Sequence, residues 1–75
     1  MRVCVYMICA GGDLPIGTAV DVPTMISLVE LARLKGCTGV SLHGPLPNGD
    51  VVSGETSIED AFDLAHVQAC YLGGL

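Results

Sequence analysis

A glycine-rich stretch, CAGGDLPIG, follows the apolar run VCVYMI and is the first place where this chain could carry chemistry. Gly12 and Gly17 have the four-residue gap of a Walker phosphate loop and Thr18 follows them, but the lysine that reaches the phosphates is missing. Asp13 would place an anion beside a phosphate, and Pro15 removes one backbone donor. We therefore interpret the stretch as a tight turn rather than a phosphate site.

One face of the predicted C-terminal helix is the second candidate. Glu59, Asp63, His66 and Cys70 are spaced at i, i+4, i+7 and i+11, so their side chains share one side of that helix. Carboxylate, imidazole and thiol groups can ligate zinc and related metals. This face lies opposite the apolar stripe, where charged side chains normally meet water, so we expect neither a metal nor another cofactor.

His43 is the remaining residue with catalytic potential. Paired with Cys9 or Cys37, it would form a thiolate–imidazole nucleophile. The sequence places neither cysteine next to it and supplies no third group to orient the ring. No serine lies in a nucleophile elbow either. We therefore expect no enzymatic activity.

The charge of the chain is unevenly distributed. Three basic residues oppose eight acidic ones, for a net charge of −5, and no lysine or arginine follows Lys35. Binding to a phosphate backbone needs lysine and arginine, so we expect no direct contact with nucleic acid. A basic protein surface is the better electrostatic partner. The acidic residues of the C-terminal half are Asp50, Glu55, Glu59, Asp60 and Asp63.

The chain is also unusually apolar for its size. Of its 75 residues, 51% are hydrophobic and only 15% are charged. So small a domain cannot easily bury that many apolar side chains, which predicts a homo-oligomer, most simply a dimer, or a surface for an obligate partner. The longest apolar run, at residues 3–10, is far too short to span a bilayer, so no membrane partner is expected. Without a secretory context, the four cysteines are expected to be reduced in a cytoplasmic protein.

The hydrophobic patterns predict one compact domain over residues 1–75. The apolar run at 3–10 predicts a strand buried on both faces, and residues 18–22 either pair with it as a short strand or lead directly into a helix. That helix is expected over 23–35, stopped by Gly36. It is apolar around most of its circumference, so it should bury two sides, one of them against another chain.

Two further strands and a second helix are predicted in the C-terminal half. Strands over 38–44 and 50–53 flank an Asn-Gly pair, a strong hairpin signal. A capping box at 56–59 precedes a helix over 57–72. The apolar stripe of this helix comprises Ile58, Ala61, Phe62, Ala65, Ala69 and Leu72.

These elements, in the order β-(β)-α-β-β-α, indicate the α+β class. We predict a small two-layer sandwich in which a three- or four-stranded mixed sheet carries both helices on one face. The β-α-β part is expected to cross over with a right hand. The other face of the sheet is then left open and is the best candidate for a dimer surface.

The charge distribution predicts a small, acidic, non-enzymatic binding protein that masks a basic surface of a partner protein. Compact acidic chains of this kind occur among phage and mobile-element proteins that inhibit host defence. An anti-CRISPR-like inhibitor of a nucleic-acid-binding complex is therefore one form of this hypothesis. The residues expected to contact the partner are Glu55, Glu59, Asp60, Asp63, His66 and Tyr71.

A different class of function stays open beside this one. The chain could bind or sequester a small molecule or nucleotide at an oligomer interface near the glycine-rich stretch, where backbone N–H groups can approach a ligand. The residues expected to line that site are Gly11, Gly12, Asp13, Gly17, Thr18 and His43. A structural subunit of a larger assembly is a further alternative.

Overall fold

Four strands and two helices make up residues 1–73, the part of the chain that the computed structural model describes. In chain order they are β1 Val3–Cys9, β2 Gly12–Ala19, α1 Val22–Leu34, β3 Gly39–Pro45, β4 Val51–Ser57 and α2 Ile58–Gly73. The predicted α+β class, with both helices on one face of a four-stranded sheet, is confirmed. Both helices begin and end within one residue of the predicted spans 23–35 and 57–72.

The sheet is antiparallel throughout, with strand order β2-β1-β3-β4. β2 and β3 both run antiparallel to β1, which lies between them, so they are parallel to each other and α1 joins them as a β-α-β crossover. The right hand of this crossover stays a prediction. The predicted mixed sheet is wrong, because every neighbouring pair of strands is antiparallel. The cause is β2, which returns beside β1 as a hairpin before α1 begins. Because this extra strand reverses the chain, α1 runs back along the sheet and β3 enters beside the end of β1, pointing the opposite way.

β2 covers Gly12–Ala19 instead of the predicted 18–22, so most of the supposed loop is strand. Only Ala10 and Gly11 form the turn between β1 and β2. Pro15 is accommodated because β2 lies at an edge of the sheet, where a missing N–H is tolerated. The glycine-rich stretch is thus a tight turn only at Ala10 and Gly11, and from Gly12 onward it is a strand of the hairpin.

β4 continues to Ser57, beyond the predicted end at residue 53, and leads into α2 without a linker. The hydroxyl oxygen of Ser57 accepts a hydrogen bond from the backbone N–H of Asp60 at 3.1 Å. The cap of α2 is therefore Ser57, and the predicted capping box at 56–59 is one residue too early. Ser57 is both the last residue of β4 and the cap of α2, so the surfaces of the strand and the helix adjoin directly.

The core lies between the helices and the facing side of the sheet. Alternate residues of β1 are buried beneath the helices, while Cys4, Tyr6 and Ile8 on the open face are only half-buried, so burial of β1 on both faces is wrong. Ala69 and Leu72 of the predicted stripe are exposed, because the buried part of α2 ends at Gln68. The buried hydrophobic residues are Val3, Val5, Met7, Ala19, Val22, Met25, Val29, Ala32, Val40, Leu42, Leu46, Ala61 and Ala65.

Candidate protein-binding edge

The acidic residues predicted to contact a partner lie along the junction of β4 and α2. Glu55 is exposed near the end of β4, and Glu59, Asp60 and Asp63 are exposed in the first two turns of α2. We call these four residues the acidic edge. Within residues 1–73 the one salt bridge joins Glu30 to Arg33, so no carboxylate of the acidic edge has a basic partner there.

Part of this charge also serves the helix. Acidic side chains in a first helical turn interact favourably with the partial positive charge of the helix N-terminus. This contribution falls off within the first turn and does not extend to Glu55 in β4. The acidic edge is thus larger than helix capping requires, and its carboxylates face solvent.

The later turns of α2 change from acidic to apolar. Val67 and Tyr71 follow Asp63 at helical spacing, and each is about 60% exposed. His66 immediately precedes Val67, and its Nδ1 lies 2.7 Å from the carbonyl oxygen of Phe62. A carbonyl oxygen only accepts, so Nδ1 carries the proton and Nε2 faces outward. The structure therefore places His66 and Tyr71 on α2 beyond the acidic edge.

β4 itself is an edge strand, so one of its long sides has no strand partner within residues 1–73. Gly54 lies at its centre with φ +146°, and a Cβ at this position would meet nothing within 4 Å. A surface groove of about 250 Å³ runs along the strand, and Leu42 and Leu64 contribute its apolar lining. The unpaired strand thus lies beside a groove and beside the acidic edge.

A second candidate site lies on the open face of the sheet. Tyr6, Asp13, Ser41 and His43 line a depression of about 340 Å³. The hydroxyl oxygen of Ser41 lies 2.7 Å from Nε2 of His43, and the rings of Tyr6 and His43 meet edge to face with centroids 5.7 Å apart. The two rings cover Ser41, which is only 5% exposed although it faces away from the helices.

The residues predicted to line a small-ligand site lie in separate places in the structure. Asp13 and His43 share the depression, whereas Gly11 and Gly12 lie at the β1–β2 turn. Gly17 faces α1, where an added Cβ would come within 3.1 Å of the side chain of Leu28.

Thr18 also lies away from the depression, beside Cys4 at an Oγ1–Sγ distance of 3.8 Å. The structure does not bring His43 together with Cys9 or Cys37, whose sulfur atoms lie beside each other. His43 is opposite Cys4 in the sheet register, and Cys9 lies five residues further along β1.

The contact between Ser41 and His43 is the site feature that the sequence reasoning missed. The available signal is their spacing of two on one strand, which places both side chains on the same face. Coverage by Tyr6 depends on the register between β1 and β3, which no local pattern reveals.

Within residues 1–73, no three His, Cys, Asp or Glu side chains gather where they could hold a metal ion. Neither helix of this described part is long and apolar enough to cross a membrane. Comparisons with protein-family models, with curated protein sequences and with solved structures give no match to this chain.

Proposed function

We propose that this chain is a non-enzymatic binding module whose β4 edge and acidic edge together take up a basic, extended segment of another protein. One observation carries the proposal: the unpaired edge strand is bordered by four exposed carboxylates without basic partners within residues 1–73. An exposed strand edge offers backbone N–H and C=O groups to a further strand, and charge determines which strands approach it.

The two sides of β4 match an alternating segment. A strand added along β4 would direct every second side chain toward the helix layer, where Gly54 leaves space beside Leu64. The intervening side chains would lie on the open face of the sheet, the side on which Glu55 stands opposite Ser41. Apolar residues therefore suit the first set of positions, and lysine or arginine suits the second, beside Glu55. The other three carboxylates of the acidic edge lie on α2, on the helix side, and attract the basic segment at longer range through their electrostatic field.

Attraction to a basic segment also agrees with the charge of the whole chain. Net charge affects the rate of association and excludes acidic partners, while the backbone pairing supplies the register. Masking a basic protein surface is therefore the effect that binding would have. The anti-CRISPR-like role, the cytoplasmic location and the homodimer stay predictions, as does ligand binding in the depression beside His43.

The test uses a short capped peptide of alternating lysine and valine, titrated into the isotopically labelled protein. We expect the amide resonances of β4 to shift and these amides to gain protection from hydrogen exchange. Raising the salt from about 0.05 to 0.5 M should weaken binding by about tenfold, because screening shortens the range of the charge interactions. A peptide of alternating glutamate and valine has the same strand pattern and should not bind.

Two matched double variants separate the acidic edge from net charge. Glu59→Lys with Asp63→Lys changes the acidic edge, and Asp13→Lys with Glu30→Lys changes β2 and α1. Each acid-to-lysine change adds two charges, so both variants carry −1 instead of −5. We expect about a tenfold loss of affinity in the first and less than about a threefold loss in the second. Equal losses, or unperturbed β4 amides, would overturn the proposal.

A further inference from the structure

Two cysteines that lie far apart in the sequence meet at one end of the sheet. Cys9 ends β1 and Cys37 follows α1, and their sulfur atoms are 3.9 Å apart across a separation of 28 residues. Among the described residues, this is the one pair of cysteine sulfurs in such contact. Cys4 lies on the open face near Thr18, and Cys70 is exposed on α2.

The backbone on both sides of the pair is fixed by hydrogen bonds. Cys9 stands opposite Gly12 at the end of the β1–β2 hairpin. α1 ends in a Schellman motif, in which the N–H of Gly36 donates to the carbonyl of Arg33 and the N–H of Cys37 donates to the carbonyl of Ala32. Gly36 supplies the required positive φ, +79°, so the conformation of the helix end positions Cys37 beside Cys9.

We propose that Cys9 and Cys37 are a disulfide-forming site that reacts with low-molecular-weight disulfides such as oxidised glutathione. The thiolate of one cysteine attacks a sulfur of the reagent, and one reagent thiol leaves. The other cysteine, as a thiolate, then attacks the protein sulfur of the mixed disulfide and expels the second reagent thiol. The pair loses two electrons and two protons, and one reagent disulfide becomes two thiols.

The site is reachable and needs little movement. Cys9, Lys35, Gly36 and Cys37 help to line a surface cavity of about 350 Å³, through which a small reagent can approach. The sulfur distance of 3.9 Å has to shorten by about 2 Å to reach the roughly 2 Å of a disulfide bond. Burial and the neighbouring Cys9 thiol raise the pKa of Cys37 against the opposing effect of Lys35, so the reaction is best run at alkaline pH.

The disulfide would change the stability of the whole domain. It would close a loop that contains β2 and α1, and so would restrict the unfolded chain. For a loop of this length in a domain of this size, the melting temperature should rise by about 10 °C or more.

The experiment exposes the reduced full chain to oxidised glutathione, then measures its mass, its linked peptides and its melting temperature. We expect a loss of two hydrogen atoms, a peptide that joins Cys9 to Cys37 and the rise in melting temperature. The double variant Cys4→Ser with Cys70→Ser keeps the pair and should respond in the same way. Cys9→Ser and Cys37→Ser should each lose the response, and their melting temperatures under reducing conditions show that they fold.

Two outcomes would overturn this assignment, and a third would refute the stabilisation expected from it. The first is the absence of the Cys9–Cys37 peptide after full reaction of the other thiols. The second is oxidation that only adds glutathione or links chains through Cys70. The third is a melting temperature that stays unchanged in the Cys4→Ser, Cys70→Ser variant although the disulfide has formed.

Discussion

Asp21 determines where α1 begins. Its backbone is extended, and its side-chain Oδ1 accepts a hydrogen bond from the N–H of Thr24 at 2.8 Å. This bond satisfies one of the backbone donors that a helix start leaves free. We expect Asp21→Ala to lower the melting temperature by about 4–8 °C at neutral pH, while Asp21→Asn keeps most of the stability because asparagine caps almost as well.

The same residue predicts a pH dependence. The hydrogen bonds from Thr24 lower the pKa of Asp21 below its ordinary value of 3.8. The stability that the Asp21 carboxylate gives to the folded state is therefore complete above pH 3.8. It is lost as the pH falls through the lower pKa of Asp21 in the folded state. Thermal melts across this range should show the difference between the native chain and Asp21→Ala shrinking toward acid pH. A difference that grows toward acid pH would contradict the assignment.

Some contacts between single residues could be predicted from the sequence, and others could not. The acidic edge on α2 could be predicted because helical spacing alone places Glu59 and Asp63 on one side. The sulfur contact between Cys9 and Cys37 could not, since it needs the hairpin, the helix end and the sheet in place together. The cover that Tyr6 gives to Ser41 likewise depends on strand register.

At the level of elements, the pairing of β1 with β3 depends on Gly44. This residue has φ +137°, and an added Cβ would lie well inside van der Waals contact with the carbonyl oxygen of Arg2 in the neighbouring chain segment. We expect Gly44→Ala to lower the free energy of unfolding by about 2–5 kcal/mol, through backbone strain and forced separation of the strands. Denaturation by urea measures this loss, and a chain without a cooperative transition would be its extreme form.

Gly11 is the matched control for this substitution. It lies in the β1–β2 turn without a positive φ, and an added Cβ meets nothing within 4 Å. Gly11→Ala should therefore change the free energy of unfolding by less than about 0.5 kcal/mol. Equal effects of the two alanine substitutions would show that the close approach at Gly44 does not limit the sheet.

The element that the sequence predicted least well is β2, which was expected only as an optional short strand at 18–22. Its residues, GDLPIGTA, contain two glycines and a proline, which are typical of a turn. It is a strand because β1 pairs with it from Gly12 to Ala19, with one bulge at Ile16. Because the prediction left this strand optional and placed it at 18–22, the antiparallel order of the sheet could not be derived from it. Helices α1 and α2 were predictable because their apolar residues recur with the helical period and their ends carry stop or capping residues.

Considered as a whole, the molecule combines a strong negative charge with uncovered apolar side chains. Leu31 and Leu34 are exposed on α1, and Val67, Tyr71 and Leu72 are exposed on α2. Both helices lie in the same layer and pack against each other, so these exposed apolar side chains all belong to the helix side of the domain. The second side of α1, which was expected to meet another chain, is thus uncovered in the single chain.

Self-association and the proposed binding of a basic segment should respond to salt in opposite ways. Two copies that each carry −5 repel one another, so screening favours the apolar contact between copies while it weakens attraction to a basic segment. Sedimentation velocity at micromolar concentration should show a dimer that strengthens as salt rises. Leu34→Ser should weaken this dimer by about tenfold, and Val51→Ser, a similarly exposed site on β4, should not. A monomer at every salt concentration would refute the homodimer prediction and leave binding at the β4 edge to its own test.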